Sequence, residues 1–310
     1  MASSSRIVLI GLALAAAGLV LPEWALFIAI ISLAKGLVVL GLLVLWRAGL
    51  VSFGQGLFYG LGAYTVGMLP LYTGITDAFV LSLAGTAVAG LVAFVLGFLL
   101  SRYREIFFAM LCLAFSMILY GILVKTEALG STDGFNVIQP TFFGYAPEGA
   151  TMRLCIYLWT ALLVVLAAFG VRRYLNSTMG NLAAAIRDNE IRVEYLGVSV
   201  VRVVWVKVII AGALAGAGGA ITAFAVGHVD PDAMTYWTVS GEFVFVTILS
   251  GTGSVIAPFV GALLFELIRS FAIQYSPYTW QMVLGTSLLL IILFLPNGLW
   301  SLVTRLGKQE

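Results

Sequence analysis

The chain has 310 residues, of which 62% are hydrophobic and only 10% charged, with a formal net charge of +2 and a mean hydropathy of +1.09. Soluble domains carry about 25% charged residues, so no part of this sequence reads as a soluble domain, and its few basic residues form no stripe that would follow a nucleic acid. The apolar runs lack the alternation of outer-membrane strands, which leaves membrane-spanning helices.

Hydropathy and turn signals place spans near 7–21, 25–46, 51–70, 79–100, 106–124, 153–171, 203–226, 239–250, 255–272 and 279–295, about ten in a single domain covering 1–310. At the start, Arg6, an apolar stretch and small residues match a secretory leader. A retained first span is the preferred expectation, because Trp24 after Pro22 reads as an interfacial anchor. Lys35 falls in the middle of the second span, where an unpaired ammonium is costly, so it is expected to face the bundle interior with Glu242 and Glu266 as candidate partners. Ser52, Gln55, Tyr59 and Tyr64 start or line the third span and are expected to face neighbouring helices or a pore rather than lipid.

Gly56 with Gly60, and Gly212 with Gly216, have the spacing that lets helices approach closely. "GALAGAGGA" follows no strand and reads as helix packing, not as a dinucleotide fingerprint. Cys112 and Cys155 lie in apolar runs without metal spacing and are expected to be packed thiols. The loop 126–152 holds Thr132, Asp133 and Asn136 beside an Asp133-Gly134 turn. In "GHVDPDAM", His228, Asp230 and Asp232 suggest a metal only superficially; Asp230-Pro231 reads as a turn, and no metal is expected. The stretch 239–250 is too short to cross alone, and with "SGTGS" after it reads as a broken or re-entrant element.

Basic residues set the orientation. With the N-terminus cytoplasmic, the inner side receives Arg6, Arg47, Arg102, Arg104, Arg172, Arg173, Arg187, Arg192, Arg202, Lys207, Arg305 and Lys308, against Lys125, Arg153 and Arg269 outside. Both termini are then cytoplasmic. Trp24, Trp237 and Trp280 mark the outer boundary and Trp46, Trp205 and Trp300 the inner one; Trp159 fits neither belt.

The longest cytoplasmic loop, 172–202, gathers Arg187, Asp188, Glu190, Arg192 and Glu194. Leu182, Ile186, Val193 and Leu196 share one helical face, Asp188 and Arg192 form an i,i+4 pair, and Gly197 is a stop, which together predict one short amphipathic helix parallel to the membrane. Two arginines against three acidic residues suit anionic lipid poorly, so a cytoplasmic protein partner is expected. The chain has no GxxxxGK[ST] phosphate loop, so energy from nucleotide would arrive through this loop. One histidine, two cysteines and scattered carboxylates supply no convergent catalytic set. An ion-coupled secondary transporter is the rival reading, with Lys35 its one strong midplane residue.

Four segments, "AGLVSFGQGLFYGLGAYTVGML", "GSTDGFNV", "AAAIRDNEIRVEYLGVSVVRVVWVKVIIAGALAGAGGAI" and "SGEFVFVTILSGTGSVIAPFVGALL", span most of residues 48–264. In this order they resemble the ABC-importer permease family of the branched-chain amino acid class, in its LivM-like half. The resemblance implies an all-α permease fold in a bacterial inner membrane, paired with a homologous second permease, two ATP-binding cassette ATPase subunits and an extracytoplasmic substrate-binding protein. ATP would be bound by the partner subunits, with no cofactor and no catalysis in this chain. It also implies a coupling helix that docks on an ATPase subunit, here Arg187, Asp188, Asn189, Glu190, Glu194 and Gly197, and a translocation path drawn from Ser52, Gln55, Tyr59, Tyr64, Lys35 and Glu242. Urea, short amides and aromatic acids are alternative substrates of similar permeases. The sequence departs from the family where relatives usually read Ser-Leu-Gly-His: Ser52, Phe53, Gly54 and Gln55 stand there, and glutamine cannot titrate near neutral pH.

Overall fold

The computed structural model describes residues 11, 13, 14, 16–295 and 298–301, so part of the expected first span lies outside the described residues. The chain is a helical bundle. Its elements in order are α1 (Glu23–Trp46), α2 (Gln55–Thr73), α3 (Ala78–Leu100), α4 (Glu105–Lys125), β1 (Phe135–Asn136), α5 (Gly149–Leu175), α6 (Thr178–Asp188) and α7 (Glu190–Tyr195). There follow α8 (Val200–Val226), β2 (His228–Val229), α9 (Pro231–Met234), α10 (Trp237–Ser250), α11 (Ala257–Tyr275) and α12 (Trp280–Phe294). Among the described residues, α1, α3, α4, α5, α8 and α11 are the six helices long and apolar enough to cross a membrane.

Local chemistry sets the helix ends. The Asp77 carboxylate starts α3 by accepting the Phe79 and Val80 N–H groups at 2.9 and 3.2 Å, and Gly74 (φ +70°) and Gly227 (φ +73°) close α2 and α8 in the left-handed region. The expected third span opens later than the hydropathy suggests. Ser52 Oγ accepts the Gly54 N–H at 3.3 Å, and this local bond holds the chain out of helix until Gln55.

At the centre lies α8, whose small residues meet α1, α2 and α3 at once. A side chain added at Gly219 would strike the Tyr59 carbonyl, and one added at Gly62 the Gly216 carbonyl. Gly212 packs on Ala93 and Phe58, and Gly216 on Ala89 and Gly85. With lipid tails as apolar as leucine, such close backbone approach is the main source of helix association in a membrane. Trp159, unplaced by the aromatic belts, donates from Nε1 to Ser82 Oγ at 2.9 Å and sets its ring edge-on to Phe79, joining α5 to α3. Lys207 is fully buried in α8, with its ammonium 5.1 Å from the centre of the Tyr174 ring and no hydrogen-bond partner among the described residues.

Replacing Gly62 by leucine forces α2 off α8. We expect a loss at or above the ~1–3 kcal/mol of ordinary overpacking, read as collapse of the monodisperse fraction on size exclusion in mild detergent. Gly121→Ala on α4, where none of the described residues lies within 4 Å, leaves that fraction unchanged; equal damage from both variants would contradict the packing described.

Candidate functional site

The charged centre of the bundle involves three helices. Lys35 of α1 lies 3.2 Å from Glu242 Oε2 of α10 and 2.5 Å from Glu266 Oε1 of α11. Arg269, one turn beyond Glu266, donates to Glu242 at 3.1 Å and stands 3.9 Å from Glu266. Two cations and two carboxylates make a formally neutral quartet. The Lys35 side chain is 8% exposed and that of Glu266 13%, so each charge depends on its neighbours for the stabilisation that water would otherwise give. Phe265 presents its ring 5.7 Å from the Lys35 ammonium, and Trp280 lies 5.6 Å from the Arg269 guanidinium, which brings α12 into the cluster. The expected partners of Lys35 are therefore the observed ones. Arg269, expected at the outer boundary, is instead the fourth member; its i,i+3 spacing from Glu266 was the available signal.

At the start of α2 and along it, Ser52, Gln55, Tyr59 and Tyr64 are all buried. Tyr59 sits within electrostatic reach of Lys35 and packs edge-on against Phe243, ring centres 5.2 Å apart. Tyr64 packs in the same way on Phe135, at 5.5 Å. The Gly56 N–H donates to Ser240 Oγ at 2.9 Å, fixing the start of α2 on α10. Both amide atoms of Gln55 lack a partner among the described residues.

At one end of the bundle lies the charged loop. It is two helices rather than the single amphipathic helix expected. Asn189 is extended (φ −163°), ends α6, and its side chain accepts the Arg192 N–H at 3.0 Å to start α7. A side chain that competes for backbone hydrogen bonds has broken the helical period there. Asp188 and Arg192 thus sit on different helices and form no ion pair among the described residues. Ile186 and Val193 turn inward and are buried, whereas Leu196 is 80% exposed, with Tyr195 at 87% and Ile191 at 63%. Gly197 (φ +80°) ends the segment as expected. Arg187 packs its aliphatic stem on Gly49 of the α1–α2 turn. Glu190 accepts both Nε and Nη2 of Arg104 at 2.8 Å, while Asp188 and Glu194 remain exposed.

At the opposite end, "GSTDGFNV" and "GHVDPDAM" meet. Phe135 pairs with Val229 and Asn136 with His228 in a short antiparallel ribbon, and the Asn136 and His228 side chains touch at 3.1 Å. Asp230 caps α9 by accepting the Ala233 N–H at 2.7 Å, and Asp232 accepts the Tyr120 hydroxyl at 2.8 Å. Thr132 and Asp133 are exposed. Among the described residues no group of three or more His, Cys, Asp or Glu is arranged to hold a metal.

Residues 24–293 match the family model described as branched-chain amino acid transport system / permease component. The chain is 31% identical over 287 residues to the high-affinity branched-chain amino acid transport system permease protein LivM of Salmonella typhimurium (strain LT2), covering 84% of this chain and 67% of the relative. The protein of the same description from Escherichia coli (strain K12) gives the same identity and coverage, 31% over 287 residues, 84% and 67%. No solved structure matches the chain.

Lys35→Met leaves two carboxylates facing one arginine, and we expect a loss of about 3–5 kcal/mol, the usual cost of breaking a buried pair, read from the thermal midpoint of the detergent-purified protein. Combining it with Glu266→Gln restores charge balance and recovers most of the loss. An unchanged midpoint in the single variant would contradict the quartet's role.

Proposed function

The chain belongs to the branched-chain amino acid permease family, and from that premise we propose that it forms the translocation path of an ATP-driven importer of branched-chain amino acids. The observation that carries this reading is the family match over residues 24–293, which includes the ion quartet, the polar start of α2 and the charged loop. Both relatives are described as branched-chain amino acid permeases, which favours that substrate class over urea, short amides or aromatic acids. The neutral quartet also gives Lys35 a partner-bound role, which removes the main support for an ion-coupled mechanism.

In this reading residues 1–310 form one permease domain of about ten spans in the bacterial inner membrane. α10 has 14 residues, about 21 Å at 1.5 Å per residue, short of the ~30 Å hydrocarbon core. Its end turns at Gly251, and Leu249 accepts the Leu299 N–H at 2.8 Å, in keeping with a re-entrant element buried in protein. The end holding Arg47, Arg102, Arg104, Arg172, Arg173, Arg187, Arg192 and Arg202 is cytoplasmic, as are both termini, and the end holding Lys125 and Arg153 faces outward. The loop 172–202 meets the ATPase subunits, and the loop 126–152, through Thr132, Asp133 and Asn136, meets the substrate-binding protein. A homologous permease completes the path. The chain itself binds no cofactor and catalyses no reaction.

On α6–α7 the outward surface combines the apolar Ile191, Tyr195 and Leu196 with Asp188, Arg192 and Glu194, the pattern of an anchor set in a groove with charges at its rim. Ile191→Asp with Leu196→Asp changes exposed side chains only. In affinity-tagged complexes identified by mass spectrometry, wild type recovers ATPase subunits and a second permease, and the double variant loses the ATPases while keeping the permease. A wild-type chain recovered alone would contradict the proposal.

A further inference from the structure

Arg104 occupies an unusual place at the base of α4. Its Nε and Nη2 fork the two oxygens of Glu190 at 2.8 Å each, while Nη1 donates to the carbonyls of Ser101 and Tyr103 at 2.6 and 2.8 Å. One guanidinium thereby ties the α3–α4 turn to itself and to the first residue of α7. Side-chain exposures of 23% for Arg104 and 32% for Glu190 limit the screening that makes most surface pairs weak, and the bidentate geometry fixes orientation as well as distance.

The helix so held buries only a narrow face against the rest of the chain. In α4, 22% of the most apolar stretch is buried, against 89% in α1. Its polar contacts with the body, Ser116 to the Thr235 carbonyl at 3.1 Å and Tyr120 to Asp232 at 2.8 Å, lie on the half away from the clasp. Glu105, where α4 departs from the turn, has φ +52°, a left-handed backbone that a non-glycine residue adopts at a cost. Between the clasp and those contacts Phe108 and Cys112 are buried along one face of α4, so the constrained turn, the bidentate clasp and this narrow packed stripe hold the helix.

We propose that the Arg104–Glu190 pair transmits movement of the α6–α7 loop to α4, making both positioning residues for transport rather than contacts for the ATPase. This rests on the reading that the loop docks on ATPase subunits. The loop is joined covalently to α5 and α8, and the clasp adds α4 as a third helix that follows it. Lysine cannot replace the arginine, because a point charge does not fork a carboxylate.

The test uses the complete purified complex in proteoliposomes, with ATP hydrolysis, labelled leucine uptake and subunit content measured on the same preparation. Arg104→Gln retains the ATPase subunits and their hydrolysis but loses uptake by about tenfold, a typical size for an energetic coupling between sites, and Glu190→Gln loses uptake to the same extent. Arg104→Lys falls between wild type and Arg104→Gln, and the exchanged pair Arg104→Glu with Glu190→Arg regains uptake. Full uptake in the single variants overturns the proposal, as does loss of bound ATPase or failure of the exchanged pair to regain uptake. A wild-type complex that imports leucine without ATPase subunits overturns the reading beneath it.

Discussion

The close approach of backbones along α8 is the constraint on which the rest of the structure depends. Gly216 and Gly219 bring α8 against Gly62 and Tyr59 of α2, and Gly218 and Ala211 bring it against Ala34 and Gly41 of α1. This contact sets the depth and rotation of α1, which directs Lys35 away from α8 toward α10 and α11. On the same helix Gly36 receives the Phe259 ring of α11, one further small residue that allows Glu266 to come within reach of the lysine. In a bilayer neither step is driven by expulsion of water. Small residues supply the contact area, and the ion quartet then fixes which faces meet.

Much of this was legible in the sequence because the membrane restricts what a charge can do. A lysine in the middle of an apolar run needs an acid, and Glu242 and Glu266 were the available ones within apolar segments. The long helices followed from hydropathy, with ends displaced by a few residues where Ser52 or Asp77 bonds the backbone locally. Arg269 escaped because a basic residue near the end of a span is normally read as facing water. Lys207 escaped for the same reason, and the structure buries it against Tyr174.

The charged loop shows where periodicity fails. Ile186 and Val193 keep the spacing of a single helix, yet Asn189 between them caps a new one, a change that apolar spacing does not record. The consequence is a split stripe: Ile186 and Val193 pack inward on the chain itself, whereas Leu196 of the same expected stripe faces outward with Ile191 and Tyr195. The ribbon between Asn136 and His228 was also illegible, since a two-residue strand has no alternation to read, and only the meeting of the two loops creates it.

The two ends of the bundle thus differ in construction. One is tied by a ribbon and short caps, the other by arginine contacts from a charged loop to the turns beneath it, with a neutral, tightly packed centre between them. Such a body suits the proposed role, in which ATP hydrolysed by partner subunits drives the path. The most direct measurement is labelled leucine uptake into proteoliposomes containing the purified complex, with ATP supplied on the side of the charged loop and ionophores present to collapse proton and sodium gradients. Uptake that requires ATP and the substrate-binding protein, and that persists with the ionophores, is the result this account predicts; uptake by the chain alone, driven by an imposed ion gradient without ATP, would contradict it.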